Sequence, residues 1–160
     1  MKGGTPDLLE QAAELVGLAG DMMFLIRALA VWLIIMCVET VFGILRTIFL
    51  APQVGDFQAR QVGTLISSLL ILGIAYLFVR WIGVVATGEL IIVGMVWVAL
   101  TLLFEVILGR VVLGLSWERL ASDYNILRGG LMPFGLLVLM LSPLIAARIR
   151  GFNKPSRSAQ

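Results

Sequence analysis

Polar and apolar positions in this chain fall into long blocks rather than a short alternation. Four stretches are almost wholly apolar: 28–50, 62–79, 90–109 and 131–147. Each has about the 17–25 residues that a helix needs to cross a bilayer core. Their limits are chemical. Arg27 precedes the first and Ala51-Pro52 breaks it, while Arg80-Trp81, Arg110 and Arg148 end the others. Backbone polar groups in hydrocarbon must be satisfied within their own segment, so the pattern predicts four transmembrane helices. Transmembrane β-strands would be shorter and would alternate, and no such alternation is present.

Residues 1–27 are more polar. A polar segment this long ahead of the first apolar run argues against a cleavable signal. It reads as a separate amphipathic helix, with Thr5 as cap, Pro6 in the first turn and Asp7 favourable to the dipole. Leu8, Ala12, Leu15 and Ala19 recur at helical spacing, with Glu10, Glu14 and Asp21 among them. Such a helix either docks a partner or lies on the interface or on the protein's own bundle. The expected plan is an N-terminal amphipathic helix at 1–27, a four-helix transmembrane domain at 28–150 and a polar, disordered tail at 151–160. The fold class is an all-α integral membrane protein.

Composition removes the main alternatives. The chain is 60% hydrophobic and 14% charged, against about 45–50% and 25% for soluble domains. A soluble globular domain, a disordered chain and a fibrous protein are all excluded on this ground. There is no His and a single Cys, Cys37. His-ligated haem, His-based zinc or copper sites and a disulfide framework therefore drop out, and no cofactor or metal is expected. A net charge of +2 is too small to suggest nucleic acid. The expected partners are the lipid bilayer and either a homo-oligomer or another membrane protein. Four spans put both termini on one side, with Lys2, Arg27, Arg80, Arg148, Arg150, Lys154 and Arg157. The opposite side holds Arg46, Arg60, Arg110, Arg119 and Arg128. The bias of basic residues places both termini in the cytoplasm.

The two halves share a pattern. Glu39-x-x-x-Gly43 recurs as Glu105-x-x-x-Gly109, an offset of 105 − 39 = 66. Arg60, Arg80 and Gly83 each recur 68 residues later, as Arg128, Arg148 and Gly151. Trp32 and Trp97 precede the glutamates, and Asp56 and Asp123 fall in corresponding connectors. The pattern suggests an internal repeat, two tandem helical hairpins related by an axis along the membrane normal. Chance alignment of Leu-rich helices is the alternative.

Glu39 and Glu105 are the most informative residues. A carboxylate at depth costs on the order of 2.5–3.5 kcal/mol on insertion scales, so it must be paired, protonated or hydrated. Gly43 and Arg46 share the helix face of Glu39, and Gly109 shares that of Glu105, with Arg110 at the boundary. The candidate intramembrane polar site is Glu39, Arg46, Arg60, Glu105, Arg110 and Arg128. Gly43 and Gly109 are the expected points of close helix packing. The carboxylates either bind a cation or proton, or bond to a neighbouring Arg, a Trp N–H or backbone and lock the helices. Their expected neighbours are Arg46, Arg60, Arg110 and Arg128.

The connectors on that side are long. Trp117, Leu120, Tyr124 and Leu127 follow helical spacing after Ser116, and Gly129-Gly130 would end the helix. With residues 51–63, this segment forms either a lid over the glutamates or amphipathic connectors resting on lipid, with Trp and Tyr at headgroup depth. Gly63, Ser67, Ser68 and Gly73 suit close packing. Pro143 frees the carbonyl of Leu139 and predicts a kink. Met36, Met95, Met132 and Met140 have no metal-ligand spacing and read as packing residues.

The strings Glu39-Thr-Val-Phe-Gly-Ile-Leu-Arg46, Trp97-Val-Ala-Leu-Thr-Leu-Leu-Phe-Glu105 and Ser116-Trp-Glu-Arg-Leu-Ala-Ser-Asp-Tyr124, followed by Arg128-Gly-Gly, resemble those of uncharacterised small four-helix bacterial inner-membrane proteins. The resemblance spans about 25–150. It implies a multi-pass protein of the bacterial inner (plasma) membrane, and it transfers no catalytic residue.

No nucleophile–base set or metal motif supports an enzyme, which makes a lipid-modifying enzyme the weakest reading. The leading expectation is a non-enzymatic accessory or assembly component. Its rival is a small oligomeric permease or channel that uses Glu39 and Glu105.

Overall fold

Proline and glycine set where the helices stop. The computed structural model describes residues 5–84, 86–126 and 130–151, and every regular element in them is helical. Helix α1 runs unbroken over Thr5–Leu45. The N-terminal segment and the first apolar run are thus one helix, roughly 60 Å long at 1.5 Å per residue, and not the two separate elements expected. Glycines at 17 and 20 are tolerated within it, and its only proline lies in the first turn, where a missing N–H is harmless. A π-helical turn, Arg46–Leu50, leads into the short α2, Ala51–Val54, which contains Pro52.

Gly55 (φ 85°) then reverses the chain in a conformation that L side chains rarely adopt. Helix α3 begins immediately, at Asp56, and continues to Ile82. The 51–63 connector is therefore a one-residue turn between helices and not a loop. Helix α4 spans Thr87–Ile107 and passes into a second π-helical turn, Leu108–Val112. Helix α5, Trp117–Ser122, is capped by Ser116, whose Oγ accepts from the N–H of Arg119 at 3.2 Å. It ends before Tyr124, shorter than the spacing suggested. Helix α6 spans Met132–Ile149, with Pro133 in its first turn.

Four helical stretches are long and apolar enough to cross a membrane: Glu10–Val54, Asp56–Ile82, Thr87–Val112 and Met132–Ile149. Helix α6 packs along both α3 and α4, α1 packs along α3, and α1 touches α4 least of these pairs. At one α4–α6 crossing the place of a Cβ on Gly94 is already taken by the Met140 backbone, so only glycine allows this approach. Pro143 continues α6 without ending it. Its ring removes the N–H that Leu139 O would accept, and Ser142 Oγ donates to that carbonyl instead, at 2.8 Å.

The interior is divided lengthwise. Its apolar core gathers Ala28, Val31, Trp32 and Ile35 of α1, Ile71, Ala75, Val79 and Ile82 of α3, Leu90, Val93 and Trp97 of α4, and Leu139, Ala146 and Ala147 of α6. All of these lie in the half nearer the chain ends. Two indoles tie α1 to α4 there: Trp32 Nε1 donates to Thr101 Oγ1 at 3.0 Å, and Trp97 Nε1 donates to the carbonyl of Ala28 at 2.9 Å. In the other half, charged and hydroxyl side chains join the apolar ones in the interior. On α1, residues before Phe24 are exposed wherever their side chains are described. Arg128 lies outside the described residues, as do Lys2, Leu127, Gly129, Lys154, Arg157 and the tail from 152, together with the side chains of Thr5, Asp7 and Asp21.

Candidate functional site

Above the indole pair the four long helices spread around a cavity of about 590 Å³. Glu39, Arg46, Arg60 and Glu105, four of the six residues expected to form a polar site, line it together. Asp56, Arg119 and Asp123 stand among its further lining residues, and Ser67 and Thr101 supply hydroxyls. The segregation follows from helix geometry. Ile35, Met36, Glu39, Phe42, Gly43 and Arg46 recur at steps of one and three, so one face of the last turns of α1 and the π-helical turn after it meets the cavity.

Among the described residues neither glutamate pairs with an arginine, and Arg128, one of the four expected neighbours, lies outside them. Glu39 Oε2 accepts from Ser67 Oγ of α3 at 2.5 Å, while Glu39 Oε1 is buried and has no hydrogen-bond partner among the described residues. Glu105 Oε2 accepts from the Tyr124 hydroxyl at 2.7 Å. The reason is competition and reach. Arg60 is taken by two aspartates, with NH1 at 2.8 Å from Asp123 Oδ1 and Nε at 3.3 Å from Asp56 Oδ2. Arg110 points away from the cavity: its NH1 donates to Leu115 O at 2.5 Å, and its guanidinium lies 4.8 Å from the Trp117 ring centroid. Arg46 lays its side chain across Gly63, where an added Cβ would sit 2.5 Å from its Cδ. It forms no ion pair among the described residues.

Tyr124 comes off the end of α5 and turns inward, away from the headgroup position expected of it. Its burial, its hydrogen bond to Glu105 and the nearby charges of Glu105 and Asp123 all push its phenol pKa up. It therefore stays a neutral donor to the carboxylate. The connector is fixed around it. Gly130 N donates to Asn125 O at 2.9 Å, and Met132 N to Asp123 O at 3.3 Å. The Asp123 backbone occupies the place of a Cβ on Gly130.

The two glycines expected at helix contacts differ. Gly109 is filled against by Leu120 of α5, whose Cδ2 would lie 2.6 Å from an added Cβ. Gly43 has open space at that position and borders the cavity instead. Ser67, Thr101 and Tyr124 are the site residues that sequence reasoning assigned elsewhere or missed. Ser67 was legible only as a small residue one turn from Gly63, and hydroxyls in apolar helices normally bond their own backbone, as Ser68 does to Thr64 O at 2.7 Å. Among the described residues no cluster of three or more Cys, Asp or Glu is placed to hold a metal ion.

No family model matches this chain, and neither a curated protein nor a solved structure matches it.

Proposed function

We propose that this is a multi-pass inner-membrane protein of bacterial origin, with both termini in the cytoplasm, whose cavity binds a small solute bearing positive charge. It is the binding step of a small permease or channel that works as a homo-oligomer. One observation carries the reading. Glu39 Oε1 is buried beside the cavity without a donor, although Arg46 lines the same space. Leaving a buried acceptor unmet costs about 1–3 kcal/mol, and a donor-bearing solute removes that cost. The volume of about 590 Å³ falls in the range of small-molecule sites, about 300–1,000 Å³.

The repeat belongs to this reading. The close α3–α6 contact, the matched pairs α1–α3 and α4–α6, and positive φ at both Gly83 and Gly151 are what two hairpins about a twofold would give. The test is cation uptake into liposomes by wild type, Glu39→Gln and Glu105→Gln. Uptake lost in folded variants supports the proposal, and uptake unchanged in both rejects it. The accessory or assembly reading keeps one observation in its favour, the exposed apolar residues of the α1 extension such as Leu15 and Met22. It predicts no uptake by any form.

A further inference from the structure

The cavity holds opposite charges that do not meet. Glu39 is anchored on α3 at Ser67, and Arg46 crosses α3 at Gly63. Positions 63 and 67 lie one turn apart, roughly 6 Å along the axis. Opposite charges this near attract, yet among the described residues no ion pair joins them. Arg119 of α5 also borders the cavity, and like Arg46 its guanidinium has no ion-pair partner among the described residues. Arg60 is held by Asp56 and Asp123 and is not available. The deep end thus offers carboxylate acceptors, Glu39 and Glu105, and the end nearer the connectors offers two guanidiniums.

Resting on the cavity-binding reading above, we propose that the solute is a zwitterion, a primary ammonium joined by a short alkyl link to a phosphate. The ammonium sits between Glu39 and Glu105, supplying N–H donors to the empty Oε1. The phosphate sits on Arg46 and Arg119, whose planar donor sets match phosphate oxygens. A separation of about one helical turn suits an ethylene link better than an α-amino acid, which carries both charges on one carbon. The same chemistry reaches the site either as the headgroup of an ethanolamine phospholipid or as a free aminoalkyl phosphate.

The experiment uses the full chain in detergent and reads the melting temperature against added O-phosphoethanolamine, ethanolamine, inorganic phosphate and O-phosphocholine. O-Phosphoethanolamine is expected to raise it in a concentration-dependent manner. Glu39→Gln and Arg46→Ala should each weaken the apparent affinity at least tenfold, and O-phosphocholine, which lacks N–H donors, should bind at least tenfold more weakly than O-phosphoethanolamine. Arg119→Ala, on the exposed connector, is the second variant if Arg46→Ala does not fold. Native mass spectrometry from mixed phosphatidylethanolamine and phosphatidylglycerol micelles separates the sources. Retained phosphatidylethanolamine that Arg46→Ala loses assigns the lipid headgroup, and a shift with the soluble compound alone assigns the free solute. An equal shift with ethanolamine that survives Arg46→Ala overturns the zwitterion and leaves the cation site standing. No shift and no retained lipid with any probe overturns it too, and the uptake assay then decides the cavity reading separately.

Discussion

Replacing Glu39 with leucine should not weaken the bundle, and the terms that decide this can be read from the structure. The side chain makes one interhelical hydrogen bond, from Ser67 Oγ to Oε2. Such bonds between membrane helices average about 0.6 kcal/mol and reach about 1.7. Ser67 also has a fallback, because a hydroxyl on a helix can donate to the carbonyl four residues back. Thr64 does so to Arg60 O at 3.0 Å on this same helix. Against that loss stands Glu39 Oε1, buried with no partner, a burden of about 1–3 kcal/mol. Leucine fits beside open cavity and removes the burden. The expected result for Glu39→Leu is therefore neutral to about 1 kcal/mol more stable, and a chain of this size shifts its melting temperature roughly 2–4 °C per kcal/mol. Thermal melting in detergent, followed by tryptophan fluorescence, measures it. A loss above about 2 kcal/mol, beyond what the Ser67 bond can supply, would show that Glu39 fastens the helices, and the functional argument would go with it.

Three further outcomes follow from single contacts. Ser142→Ala should cost about 1–3 kcal/mol by leaving the buried Leu139 carbonyl unbonded. Adding Pro143→Ala restores an N–H at that carbonyl, so equilibrium unfolding of the double variant should recover most of the loss. Gly94→Ala drives a Cβ into the Met140 backbone, which has no rotamer to escape by. It should destabilise by about 3 kcal/mol or more, and a normal melting curve would disprove the close α4–α6 crossing. Trp97→Phe keeps most of the ring but loses the donor to Ala28 O. It should cost about 1 kcal/mol, and little or none of that cost should remain in a chain already carrying Ala28→Pro or another change that detaches α1 from α4.

The apolar blocks made four long helices legible because hydropathy depends on composition and not on geometry. Their ends were less legible. A proline at 52 reads as a break, but the π-helical turn before it carries the helix on to Val54, and the reversal needs only Gly55. The polar start of α1 looked separate because its charges interrupt the apolar run, yet helix hydrogen bonding is local and nothing between Asp7 and Leu45 stops it. At the site, the sequence singled out Glu39 and Glu105, and both line the cavity. Their partners were not legible. Charge favoured arginines, but two aspartates hold Arg60 and an exposed indole draws Arg110 away. Tyr124 was hidden by α5 ending at Ser122, which turns its side chain inward where a longer helix would have held it at the surface.

The division of the interior bears on how a bound solute could leave. Glu39 stands on α1 and Glu105 on α4, so the two carboxylates straddle the least extensive of the main helix contacts. The same seam is closed one level further in by Trp32 and Trp97, which bond across it in opposite directions. Toward the connectors Arg60 and Asp123 pair at the cavity wall, with side chains 30% and 46% exposed. Exposed ion pairs hold by about 1 kcal/mol or less. Two buried indole bonds with the surrounding apolar core hold by more, since each buried group left unmet adds about 1–3 kcal/mol. If the cavity binds a solute as proposed, exchange with the connector side has the lower barrier, and passage to the side of the chain ends requires α1 and α4 to part. A ligand can drive that parting only by as much as it binds the parted state better. A solute spanning Glu39 and Glu105 is placed on the two helices that must move.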